Sequence, residues 1–133
     1  QPIMMRLKSD LLPLLEATID GKLDQVKAEW HEDSAVCVVL TAEGYPGAYD
    51  KGEEIHGLEK LATWEKGFVF HAGTAKDNNR WLTTGGRVLG VTARGNSVAE
   101  AVKEVYWAVG EISWPGMHYR KDIARRALTA ERG

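Results

Sequence analysis

Thr84-Gly85-Gly86-Arg87-Val88-Leu89-Gly90-Val91-Thr92-Ala93, followed shortly by Ser97-Val98-Ala99-Glu100, is the stretch whose reading decides the fold. Two glycines interrupt the chain, and residues 87–93 then read as a strand. Ser97 to Glu100 spells a capping box, in which the Ser and Glu side chains each accept an otherwise free backbone N–H. From there Val98, Val102, Val105 and Val109 recur at helical spacing on one face, and Gly110 offers a stop. A strand running into a long, capped, one-sided helix predicts an α+β domain in which that helix packs on a sheet.

Working outward, the middle of the chain is β-rich. Ala35-Val36-Cys37-Val38-Val39-Leu40 is a continuous apolar run with three valines, which predicts a strand covered on both faces. Gly44-Tyr45-Pro46-Gly47 is a turn by its chemistry. Residues 52–66 carry no clear period. Phe68-Val69-Phe70-His71 reads as a short strand, Lys76-Asp77-Asn78-Asn79 as a polar hairpin loop, and Arg80-Trp81-Leu82-Thr83 as the strand after it. Beyond Trp114-Pro115-Gly116 a last helix is expected to carry Arg120, Lys121, Arg125 and Arg126. At the other end, Met4, Leu7 and Leu11 have helical spacing, but Pro13 forbids one smooth helix. Asp10 as N-cap resolves the conflict, because it places Pro13 at N3, where the missing N–H costs no intrahelical bond. The second helix then covers residues 11–19, with Leu12, Leu15 and Ile19 as its apolar stripe and Gly21 as its stop. Residues 22–33 read as a polar connection. The fold class expected is α+β: short N-terminal helices, then a β-rich, mostly antiparallel, barrel-sandwich-like domain with one long packing helix.

Bulk properties exclude several classes. The 133 residues give room for one modest core. Seventeen basic against nineteen acidic residues leave a net charge of −2, without the basic stripe of a nucleic-acid binder. No apolar run approaches the ~20 residues of a membrane span. Cys37 is the only cysteine, so no internal disulfide forms, and its apolar setting predicts a buried thiol. A cytoplasmic protein is expected.

Few residues carry chemistry on their own. The four histidines, His31, His56, His71 and His118, lie at no metal-ligand spacing, so no zinc site is expected. No G-x-S-x-G elbow and no G-x-x-x-x-G-K-[ST] phosphate loop occurs. His71 closes a strand ahead of Ala72-Gly73-Thr74, a position for a cleft-lining donor or for a structural histidine. Gly85-Gly86-Arg87 is the best local candidate: glycines admit a ligand close to the backbone, and an arginine offers a planar fork for phosphate or carboxylate. Read alone, the tripeptide is more often a tight turn with a surface arginine. The C-terminal basic cluster reads as a solvated helix face.

Taken together, several segments resemble the C-terminal part of phosphoribosylamine–glycine ligase (glycinamide ribonucleotide synthetase). They are Arg6-Leu7-Lys8-Ser9-Asp10-Leu11, Gly44-Tyr45-Pro46-Gly47, Phe70-His71-Ala72-Gly73-Thr74, Thr84-Gly85-Gly86-Arg87-Val88-Leu89, Val91-Thr92-Ala93 and Arg120-Lys121-Asp122-Ile123. They stand in the family's order and spacing along nearly the whole chain. Pro2-Ile3-Met4-Met5 departs from the family's usual apolar residues there but keeps their polarity. The resemblance implies that residues 1–21 are the last helices of an ATP-grasp domain and residues 22–133 the C-terminal domain. It implies the joining of glycine to 5-phosphoribosylamine, through a glycyl phosphate, in purine synthesis. ATP and Mg2+ or Mn2+ are then expected to be held by residues upstream of Gln1. That placement gives the expectation that the chain is the rear, inactive part of a longer, monomeric enzyme, with apolar N-terminal helices able to self-associate when alone. The resemblance also implies Arg87 as the grip on the sugar phosphate or glycine carboxylate. Gly85, Gly86, Gln1, His71, Thr74 and Arg120 would share that wall. No catalytic residue and no metal ligand is expected in this chain. The competing expectations are a separately encoded small-molecule-binding or interaction module reusing the domain without ATP chemistry, and another ATP-grasp carboxylate–amine ligase.

Overall fold

The computed structural model describes residues 1–130. In chain order its elements are α1 (Pro2–Arg6), α2 (Leu11–Ile19), β1 (Ser34–Thr41), β2 (Glu54–Ile55), β3 (Gly67–His71), β4 (Thr74–Asp77), β5 (Arg80–Thr83), β6 (Arg87–Gly95), α3 (Val98–Glu111) and α4 (Arg125–Ala130), with single 3-10 turns at Leu23–Gln25 and Leu58–Leu61. The strands form two antiparallel three-stranded sheets, ordered β1-β6-β3 and β2-β5-β4. The expected α+β fold, with short leading helices and one long packing helix, is the one observed.

β6 is the central strand of its sheet, and Val88, Leu89, Val91, Thr92 and Ala93 in succession are buried, so this strand is covered on both faces. β1, for which the apolar run predicted the same, is buried on one face and only partly covered, by α1, on the other. Its pairs Val36 with Ala93, Val38 with Val91 and Leu40 with Leu89 face the core, whereas Val39 is 40% exposed and Cys37 only half-buried. An unbroken apolar run cannot reveal which side stays open, because it has no alternation to read.

α3 closes the core face. Ser97 caps it, its Oγ accepting from the Glu100 N–H at 3.2 Å, while Glu100 Oε2 accepts from the Asn96 N–H at 3.0 Å. The buried line is Ala101, Val105, Ala108 and Val109, with Val98 and Val102 packed at its flank. Small alanines let the helix approach the sheet closely, which a count of valines does not show. Gly110 does not stop it: the helix runs to Glu111, and Ile112 leaves in an extended conformation with its side chain buried.

The leading helices follow cap chemistry. Asp10 Oδ1 accepts from the Leu12 N–H at 3.0 Å, Pro13 lies in the first turn, and Gly21 at φ +68° follows the last turn. Leu7 is not helical but extended, bridged to Trp30. The predicted α2 stripe is exposed: Leu12 59%, Leu15 52% and Ile19 85%, with only Ala17 buried. The hairpin loop is also shorter than predicted. Lys76 and Asp77 pair in β4, and the turn is Asn78-Asn79, with Asn78 at φ 55°. Arg120 and Lys121 precede the last helix rather than belonging to it.

The uneven cover of β1 has a direct test. Leu40→Ala is expected to lower unfolding free energy by about 2–5 kcal/mol, and Val39→Ala by no more than ~0.5 kcal/mol. Urea unfolding of both variants, read by tryptophan fluorescence, gives the comparison.

Candidate functional site

The site grows from the passage between β5 and β6. Neither Gly85 nor Gly86 is left-handed; what both require is room. A Cβ on Gly86 would run into the Tyr45 ring and stand 2.9 Å from Tyr49 Cε1. Across the same passage, a Cβ on Gly73 would stand 2.6 Å from Gly85 Cα and 2.7 Å from the Arg87 carbonyl oxygen. These close approaches are held by backbone hydrogen bonds. Ala72 N–H donates to Val88 O at 3.0 Å, Gly73 N–H to Arg87 O at 2.9 Å, Thr84 N–H to Gly73 O at 2.8 Å and Ala42 N–H to Gly86 O at 2.9 Å.

The result is an open groove of about 610 Å³ with Arg87 on its wall. Gly86, Gln1, the Tyr45 and Tyr49 rings, and the Ala72-Gly73 turn line it as well. Gln1, the N-cap of α1, reaches it by lying over Gly90, where a Cβ would come 3.3 Å from Gln1 Nε2 and 3.6 Å from Cys37 Sγ. Arg87 is exposed, and among the described residues it forms neither an ion pair nor a side-chain hydrogen bond. An unengaged guanidinium beside two aromatic rings is suited to a phosphate or carboxylate, which its fork can meet with two parallel hydrogen bonds. Tyr49 also borders a recess of about 450 Å³ whose lining carries Glu43, Asp50 and Glu53 and no cation. Among the described residues no three acidic, His or Cys side chains are placed to hold a metal ion, and no helix is long and apolar enough to cross a membrane.

The other sequence candidates lie around the groove in different ways. Gly85 packs behind it, against Gly73. His71 lines a separate recess of about 430 Å³ with His56, Arg80 and Trp81. Its ring lies on Trp81, centroids 4.2 Å apart, and its Nδ1 shares a 2.9 Å hydrogen bond with Thr74 Oγ1. Although much of His71 is exposed, this partial desolvation lowers its pKa below the ordinary 6.5. Arg120 sits away from the groove lining and is held by Asp122 through two hydrogen bonds of 2.9 and 2.8 Å, which raise its pKa and keep the Asp122 carboxyl below its usual value. The structure thus gathers Gln1, Gly86 and Arg87 in one groove, sets His71, Thr74 and Gly85 behind its turn, and leaves Arg120 elsewhere. Sequence reading missed the two tyrosine walls. The Gly44-Tyr45-Pro46-Gly47 turn was visible, but its closeness to Gly86 is a tertiary fact.

Residues 35–126 match the family described as phosphoribosylglycinamide synthetase, C domain. That match spans more than half of the chain, which belongs to this family. Over 132 residues the chain is 52% identical to phosphoribosylamine–glycine ligase of Salmonella typhimurium, covering 98% of itself and 30% of that protein. It is 49% identical over 133 residues to phosphoribosylamine–glycine ligase of Pseudomonas putida, covering 100% of itself and 31% of that protein. A crystal structure of phosphoribosylamine–glycine ligase from Thermotoga maritima is 32% identical with a TM-score of 0.59, matching 80% of this chain and 27% of the other. The chain therefore spans about 30% of the length of the curated relatives it matches.

Two outcomes follow from the packing. Gly86→Ala is expected to destabilise the domain by about 1–3 kcal/mol through overpacking, and Tyr45→Ala in the same chain is expected to recover part of that. A double-mutant cycle of unfolding free energies measures it. Between the lowered folded pKa of His71 and the ordinary 6.5, the unfolded chain binds a proton that the folded chain does not. The His71 contribution is therefore complete above pH 6.5 and is lost as pH falls below it, so His71→Phe is expected to flatten the acid side of a stability–pH curve.

Proposed function

We propose that this chain is the C-terminal part of a phosphoribosylamine–glycine ligase, the ATP-dependent enzyme joining glycine to 5-phosphoribosylamine, and that Arg87 grips the phosphate of the sugar amine. The observation that carries the reading is the unengaged Arg87 guanidinium at a groove it shares with Gln1 and Gly86. Family membership and the 30% span of the relatives' length support the assignment to the rear of such an enzyme. In this reading residues 1–21 close an ATP-grasp domain and residues 22–133 form the C-terminal domain. The exposed Leu12, Leu15 and Ile19 then face the rest of a monomeric, cytoplasmic protein.

In this reading ATP and Mg2+ or Mn2+ are held by other parts of the polypeptide, and this chain alone is inactive. What this chain contributes is orientation. A bidentate arginine fixes one end of the substrate, and the tyrosine walls limit water beside it, so that the amine is presented in a narrow range of directions. The alternative of a stand-alone binding module shares the groove but predicts no dependence of ligase kinetics on Arg87.

In the complete polypeptide, Arg87→Ala is expected to raise KM for 5-phosphoribosylamine by roughly 10- to 150-fold, the loss of charge-assisted hydrogen bonds of about 1.5–3 kcal/mol, with a much smaller change in KM for ATP. Steady-state ADP release with each substrate varied in turn measures this, and equal changes in both constants overturn the assignment.

A further inference from the structure

We propose that His71 and Thr74, backed by Trp81, form a clasp that positions the Ala72-Gly73 turn against the Arg87 groove, making His71 and Thr74 positioning residues for the phosphorylated sugar amine rather than groups that touch it. This rests on the reading of the groove given above.

β3 ends at His71 and β4 begins at Thr74, so the crossing from the first sheet to the second consists of Ala72 and Gly73 alone. Both of these residues line the Arg87 groove, whereas His71 does not. The 2.9 Å bond between His71 Nδ1 and Thr74 Oγ1 spans the base of that two-residue crossing, and the Trp81 ring on β5 covers the imidazole from the second sheet. One side-chain bond therefore ties β3 to β4, the two strands between which the turn hangs, and one tilted ring pair ties β3 to β5.

Displacement of the turn has nowhere to dissipate. Gly73 N–H donates to the carbonyl of Arg87 itself, and Gly73 O receives the Thr84 N–H. With Gly73 already in close approach to Gly85 and to the Arg87 carbonyl, a shift of the turn moves the backbone from which the guanidinium projects. Positioning to within a fraction of an ångström is what binding a small rigid anion demands. The other polar groups sharing the His71 recess are Glu54, His56, Glu59, Asn79 and Arg80. Among the described residues none of these makes a hydrogen bond to the His71 ring, so Thr74 is its polar partner there.

The test uses the complete polypeptide and four variants: Thr74→Val, Thr74→Ser, His71→Phe and Arg87→Ala. Thr74→Val and His71→Phe are each expected to raise KM for 5-phosphoribosylamine about two- to twelve-fold, the range of one neutral hydrogen bond, with KM for ATP unchanged. Combined, they are expected to do no more than either alone, because both remove the same bond. Thr74→Ser keeps the hydroxyl and is expected to behave as the parent. If Arg87→Ala raises KM while Thr74→Val leaves it untouched, the clasp is wrong and the groove reading stands. If Thr74→Val raises KM for ATP and sugar amine together, the pair is merely structural and the proposal falls. No effect of Arg87→Ala removes the groove reading and the clasp with it.

Discussion

β6 is hydrogen-bonded along both edges and buried on both faces, and the rest of the molecule is arranged around that single strand. Its partners β1 and β3 complete a sheet, and α3 covers one face through Ala101, Val105, Ala108 and Val109. On the other, α1 brings Gln1 over Gly90. Burial of Leu89 and Val91 together with Val38 and Leu40 supplies much of the apolar contact, at roughly 1.5–3 kcal/mol per large side chain. Arg87 is the first residue of this strand. A strand buried on both faces therefore ends directly at the exposed arginine of the groove, which is how a rigid scaffold presents a flexible side chain without leaving its root free to move.

Space, rather than unusual backbone, explains the glycines near that root. A Cβ on Gly73 would meet the Gly85 and Arg87 backbone, and one on Gly86 would displace the Tyr45 and Tyr49 rings. Interlocking of this kind joins the two small sheets at the Thr84–Arg87 passage. It also sets a groove with an arginine next to a recess with three carboxylates, with Tyr49 as the wall common to both.

What could be read from the sequence was whatever depended on near neighbours. The caps at Asp10 and Ser97, the stop at Gly21 and the strand of residues 87–93 follow from side chains within a few positions of one another. β2 escaped because two residues, Glu54 and Ile55, show no period, and β4 because Thr74-Ala75-Lys76-Asp77 is a polar edge strand without apolar alternation. The valines of α3 marked its covered face correctly, and what they did not reveal was that Ala101 and Ala108 are buried with them. In the site, Arg87 and Gly86 were legible as a motif. The family resemblance set Gln1 on the same wall; the meeting with Tyr45 and Tyr49 was not legible, because it joins distant parts of the chain.

α2 shows the limit of local reasoning from the opposite side. Its nine residues have a good cap and a good stop, yet a helix of this length is marginal in water on propensity alone and owes its stability to packing. Here the packing is thin: Ala17 is the buried residue, while Leu12, Leu15 and Ile19 stand open beside an exposed Leu23. Such a contiguous apolar face is unusual on a self-sufficient domain, where large patches mark interaction surfaces. Under the proposed reading this face of α2 meets the remaining greater part of the ligase, and the bare helix beside a tightly packed β6 is what a boundary between the two would leave.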